Sequence, residues 1–148
     1  MALLAAALPA DARKKDKAKA ADPKEIGLAA INRPTSEAII EFLACDELAG
    51  RESGYTGADI ASRFIASQLK QMGVQPLLPD GYFQPFVACS PDRQLKKRFE
   101  VHPDSISKMD HKVLRKLNMR NVLGLIPGER TDEYVIVGAH FDHLGTDD

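Results

Sequence analysis

Two short apolar runs toward the C-terminal end constrain the fold more than any other feature of this chain: Asn121-Val122-Leu123-Gly124-Leu125-Ile126 and Tyr134-Val135-Ile136-Val137-Gly138-Ala139. Each has the length of a strand, and neither alternates with polar residues as a half-exposed strand does, so both read as strands buried on two faces. Only Pro127 to Glu133 separates them. A parallel crossover takes a dozen or more residues, so the pair is predicted to run antiparallel.

Helical patterns precede these runs. Glu25 to Ile31 suits a short helix stopped at Asn32-Arg33-Pro34, because a proline disfavours the helical region at the residue before it. Thr35 or Ser36 then offers an N-cap for a helix bearing Ile39, Phe42, Leu43 and Leu48, with Gly50 at its end. Gly57 to Met72 carries the clearer pattern, with Ile60, Phe64, Ile65, Leu69 and Met72 on one stripe expected to be buried, and Gly73 placed to close it. Between these helices, Asp46 to Gly57 holds three glycines and reads as a shaped loop. Tyr82 to Val87 is strand-like, but Pro85 demotes it to an edge strand or an irregular extended segment. Ser105 is a candidate cap for a helix bearing Ile106, Met109, Val113 and Leu117. Helices preceding strands predict an α/β class, a mixed β-sheet flanked by helices.

Composition limits the function classes. With 44% hydrophobic and 28% charged residues in a chain of 148, a core can form, and no run approaches the about 18 apolar residues of a membrane-spanning helix. Twenty basic residues against 21 acidic ones leave a net charge of −1, so no general field gathers nucleic acid or anionic lipid. The charge is uneven, with six basic and three acidic residues falling within 1–24. Met1 to Ala12 is a short apolar stretch ending in Ala10-Asp11-Ala12, the small-x-small form of a signal-peptidase site, and so points to export. Residues 13–24 then read as a basic, solvated linker, and 25–148 as the folded portion. The two cysteines, Cys45 and Cys89, make no CxxC pair and are expected as packing residues; spacing alone does not decide whether they form a disulfide.

The second apolar run leads directly into His140-Phe141-Asp142-His143-Leu144-Gly145, and α/β sheets bind ligands beyond the carboxyl ends of their strands. If the extended conformation persists, His140 and Asp142 share a face, which suits a metal ligand and the carboxylate that orients it. The plainer reading is a His/Asp turn after a strand. His143 offers a His-x-x-His pair with His140, whereas His102 and His111 fall in a polar segment and read as surface residues. The chain has no HExxH, GxSxG, GxxxxGK[ST] or GxGxxG motif of the kinds that mark metalloprotease helices, hydrolase elbows, phosphate loops or dinucleotide sites.

Three segments taken together resemble the exported di-zinc aminopeptidase family, which also includes carboxypeptidases and glutaminyl cyclases. They are Phe42 to Gly54, Asn121 to Gly124, and Gly138 to Gly145, in matching order and spacing, and the likeness runs from about Ile26 to Asp148. The resemblance implies the N-terminal part of a zinc-exopeptidase α/β sandwich acting on peptides. It implies two zinc ions in the complete domain, with His140 as the first metal-ligand histidine and Asp142 as the aspartate that orients it. Cys45 stands where the family commonly has serine. The family's bridging aspartate, its Glu-Glu pair, a further acidic ligand and a final histidine have no counterpart here; Asp147 and Asp148 lie where the family has loop. The 148 residues are therefore expected to be inactive alone. The alternatives are a non-catalytic binding or accessory module of the same fold, or a glutaminyl-cyclase-like protein.

Overall fold

The computed structural model describes residues 22–91, 99–109, 115–130 and 132–146. The expected signal segment and most of the basic linker, together with His111, Val113, Asp147 and Asp148, lie outside the described residues. The chain divides into two units, 1–37 and 38–148.

In the first unit, α1 (Pro23–Ala30) begins where Asp22 Oδ1 accepts a hydrogen bond from the Lys24 amide at 3.0 Å, with proline at the first helical position. The next helix, α2 (Arg33–Leu43), starts earlier than the sequence suggests. Asn32 is its cap, its Oδ1 accepting from the Thr35 amide at 3.0 Å. Pro34 therefore does not hold the chain out of the helix: it sits in the first turn, where an N–H has no intrahelical partner in any case.

In the second unit, Phe42 near the end of α2 stacks on Phe64 with ring centroids 4.1 Å apart. A single 3₁₀ turn, Asp46–Leu48, replaces the expected continuation of that helix, and it buries Leu48. Helix α3 (Thr56–Gln71) forms within one residue of its predicted bounds, ends before Gly73 and carries Lys70 in its last turn, where a cation complements the helix dipole. Its buried face differs from the predicted stripe. Ile60 and Met72 are exposed and Phe64, Ile65 and Leu69 half-buried, while Gly57, Ala58, Ala61, Ser62 and Ala66 are buried. Small residues let the helix backbone approach the 3₁₀ turn and the strand Arg115–Val122 closely, and the bulky side chains flank that contact.

Two antiparallel strand pairs complete the unit. β2 (Phe83–Ser90) pairs with β3 (Arg115–Val122) over eight positions, from Phe83 opposite Val122 to Ser90 opposite Arg115. β1 (Gln75–Pro76) pairs with β4 (Gly124–Leu125), and the Leu123 amide donating to the Tyr82 carbonyl at 2.7 Å links the two ladders. Pro85 lies inside β2, and a two-stranded ladder leaves an open edge that its missing N–H can face. The described residues thus combine helices with small antiparallel sheets, an α/β-like composition.

Three expectations fail here. Asn121–Ile126 does not pair with Tyr134–Ala139; it is the end of β3 plus β4, and its partners are β2 and β1. Tyr134–Ala139 forms no strand and is not buried, for Val135, Ile136 and Val137 are 93%, 91% and 93% exposed. The apolar run specifies a need for cover but no partner, and the segment it was expected to join pairs instead with β2 at Asn121 and Val122 and with β1 at Gly124 and Leu125. Of the helix expected from Ser105 through Leu117, the described residues show α4 (Pro103–Ser107), capped by His102, whose Nδ1 accepts from the Asp104 amide at 3.3 Å; Leu117 belongs to β3.

Candidate functional site

The segment 140–146 has no regular secondary structure, and its shape is set by the loop after α2. Arg51 is the principal clamp. Its Nε donates to the Phe141 carbonyl at 2.7 Å, and its Nη1 donates to the Leu43 carbonyl, so one guanidinium ties the end of α2 to the middle of the histidine segment. The Arg51 main chain adds two bonds: its amide donates to the Leu144 carbonyl at 3.1 Å, and its carbonyl accepts from the His143 amide at 2.8 Å. These bonds bring the loop and the segment side by side like a short two-residue ladder. Gly50 is required for the approach. Its φ of +75° is one that side chains disfavour, and a Cβ there would run into the Leu144 carbonyl oxygen.

One step along the loop, the Ser53 hydroxyl donates to Asp142 Oδ2 at 2.9 Å. The other carboxylate oxygen, Oδ1, lies 3.3 Å from His140 Nδ1, which is also 3.0 Å from the Asp142 carbonyl. The carbonyl is the hydrogen-bond partner of Nδ1 and the carboxylate oxygen stands beside it; both can only accept, which favours the tautomer with its proton on Nδ1. The ring is open to solvent, with 83% of the His140 side chain exposed, and among the described residues no hydrogen bond engages Nε2. The arrangement is a lone-pair donor facing outward, backed by a carboxylate that is itself anchored. Glu52 flanks it, packed against Gly145 and paired with Arg115 at 3.7 Å, whose guanidinium lies over the Tyr55 ring.

His140 and Asp142 are therefore brought together as expected, although by a loop clamp and not by strand alternation. His143 is not brought to the same place. It lines a cleft of about 600 Å³ with Leu43, Cys45, Asp46, Arg51 and Thr146, and His140 does not border that cleft. Cys45 and Cys89 are both free thiols, the second buried. Glu47 at the 3₁₀ turn has its carboxyl held below the ordinary glutamate range, chiefly by a hydrogen bond from its own backbone and secondarily by one from the Cys45 side chain.

Among the described residues no three of His, Cys, Asp and Glu come close enough to hold a metal ion. A catalytic zinc takes three protein donors, so the donor set present here, His140 with Asp142 behind it, does not make a metal centre by itself. Arg51 and Ser53 are the site residues that sequence reading passed over. Their loop stood out for its glycines, but nothing in the local pattern tied it to a segment about ninety positions away. No family model, curated protein or solved structure matches the chain.

Proposed function

We propose that the second unit is the N-terminal part of a zinc metallopeptidase domain of the exported aminopeptidase kind, within a zinc-exopeptidase α/β sandwich. In this reading His140 contributes one metal ligand and Asp142 orients it. The observation that supports it is the His140 ring itself: Nδ1 is turned to Asp142 at 3.0 Å and 3.3 Å, and Nε2 is left facing solvent on a side chain that is 83% exposed. A histidine whose only task was to close a turn has no need of a carboxylate anchored by a second residue. Metal-ligating histidines regularly show this pattern, since the carboxylate fixes the tautomer and raises the basicity of the donor nitrogen.

The exposed run from Tyr134 to Val137 supports the same reading. Four successive large apolar residues, each at least 77% exposed, call for cover that the described residues do not provide. In an exopeptidase sandwich that cover comes from further strands and helices, which also carry the missing carboxylates and histidine. When bound by a complete donor set, two zinc ions supply an activated water and polarise the scissile carbonyl. The residues described here would hold and aim one donor of that set. The substrate class is a peptide with a free N-terminus, and the apolar start of the chain fits an exported protein. No described helix is long and apolar enough to cross a membrane.

The lack of a three-donor group favours a second reading, a non-catalytic binding module of the same fold. Cleavage of aminoacyl p-nitroanilides, with and without zinc, separates the two. The complete reading frame containing this segment is expected to show zinc-dependent turnover that residues 1–148 lack. A complete reading frame without turnover, whose zinc affinity does not depend on His140, removes the metallopeptidase reading.

A further inference from the structure

Asp142 is half-exposed, and a carboxylate in that position ordinarily turns and exchanges its partners with water. Here it does not stand alone, because the Ser53 hydroxyl donates to Oδ2 at 2.9 Å, across a separation of 89 positions. With Oδ2 taken, Oδ1 is the oxygen left near His140 Nδ1, at 3.3 Å, beside the Asp142 main-chain carbonyl that is hydrogen-bonded to Nδ1 at 3.0 Å. Ser53 is in turn held by its neighbours: the Arg51 main chain is bonded to His143 and Leu144, and the Arg51 side chain to Phe141, so both ends of the Ser53–Asp142 contact are fixed to one frame.

We propose that Ser53 is a positioning residue that biases the tautomer of His140 through Asp142, adding to the Asp142 main-chain carbonyl. A hydroxyl that donates to one carboxylate oxygen stops the group from rotating, and the other oxygen then stays at Nδ1 as an acceptor. Neutral imidazole carries one proton, so an acceptor held at Nδ1 leaves the lone pair on Nε2, the nitrogen that faces outward. The role of that lone pair as a metal donor rests on the metallopeptidase reading; the tautomer does not, since it follows from contacts within this chain.

The test is long-range proton–nitrogen NMR of the His140 ring in the 148-residue protein, at a pH where the ring is neutral. The wild-type ring is expected to be mainly the Nδ1–H form. Ser53→Ala lowers that fraction, the remainder being carried by the Asp142 main-chain carbonyl, and Ser53→Thr, which keeps the hydroxyl, retains the wild-type ratio. Ser53→Cys, of similar shape but a weak donor, reproduces the fall and stands in for Ser53→Ala if that variant does not fold. An unchanged ratio in either variant overturns the proposal, as does a fall in Ser53→Thr equal to that in Ser53→Ala. Calorimetric zinc titration of the complete reading frame is read separately. A ratio that responds to Ser53 in a protein that never binds zinc keeps the positioning role and removes the metal. Zinc binding with an unresponsive ratio does the reverse.

Discussion

Arg51 and Phe141 stand ninety positions apart and are joined by a 2.7 Å hydrogen bond from the guanidinium Nε to the main-chain carbonyl. The same side chain donates to the Leu43 carbonyl, so two part-buried carbonyls depend on one charged group. Hydrogen bonds to charged donors contribute about 1.5–3 kcal/mol each, and an orphaned buried acceptor adds its own desolvation cost. Arg51→Ala is therefore expected to destabilise the second unit by about 3 kcal/mol in urea unfolding. Arg51→Lys recovers little of this, because a single ammonium cannot reproduce the fork that reaches both carbonyls. Hydrogen exchange of the His143 amide, bonded to the Arg51 carbonyl, accelerates in both variants. Wild-type exchange in Arg51→Ala contradicts the clamp.

Gly50 offers a check on the same frame that involves no charge. At φ +75° with the Leu144 carbonyl oxygen against its Cα, it has neither the conformational tolerance nor the room for a methyl group. Gly50→Ala is expected to cost upward of about 1 kcal/mol, more than a surface substitution, since strain and steric conflict act together. The loss appears as a lower urea midpoint with an unchanged slope. A midpoint equal to the wild type means that the loop does not approach the segment this closely.

The exposed apolar run makes the isolated chain prone to associate. Residues Val135 to Val137 are more than 90% exposed and are all β-branched, the composition that pairs with other chains. Ile136→Lys is expected to reduce self-association in sedimentation velocity while leaving unfolding stability within about 0.5 kcal/mol, because the side chain has little packing to lose. A large drop in stability shows the run to be packed in solution.

Glu47 gives the fold a small dependence on acid. Its carboxyl is held low in the folded chain by its backbone hydrogen bond and then by Cys45, so the contribution is complete above the unfolded glutamate pKa and fades as pH falls through the folded one. Carbonyl-carbon NMR should find Glu47 titrating below the other glutamates, and Glu47→Gln should flatten the stability profile on the acid side only. A Glu47 midpoint within the ordinary glutamate range removes the hydrogen bonds from the account.

What the sequence discloses varies with the range of the interaction. Helix α3 was legible because its spacing and the glycine after it are local signals, and its bounds are met within one residue. Its buried face was not, because the choice between Ile60 and Ala61 depends on how near β3 comes. In Arg115 to Val122, the alternation of Lys116, Leu117, Asn118 and Met119 carries period-two information, but Leu117 read in step with Ile106, Met109 and Val113 suggests a helix. The pairing with β2 decides for the strand. In Tyr134 to Ala139, composition states how much cover is needed and nothing about where it comes from. The His140–Asp142 contact was legible because the two lie two apart; Arg51 and Ser53 make theirs across about ninety positions, and no local pattern reaches that far.

The metal reading is decided most sharply by setting Asp142 against His140 in the complete reading frame. His140→Ala removes a donor outright, so tight zinc binding and turnover are both expected to be lost. Asp142→Asn leaves the ring in place. Its side chain can still accept the Ser53 hydrogen bond, but the group then turned to Nδ1 is an amide N–H₂, which competes with the Asp142 main-chain carbonyl at 3.0 Å and raises the share of rings protonated on Nε2. The outward nitrogen loses its lone pair in that form, so zinc affinity or turnover is expected to fall roughly 10–100-fold with the fold intact. Calorimetric titration and anilide cleavage read the two losses, and the urea midpoint confirms that the variant is folded. If Asp142→Asn matches the wild type in affinity and rate while His140→Ala does not, the ring is a ligand that the carboxylate does not orient. If both match it, the histidine segment is a turn and the metal lies elsewhere.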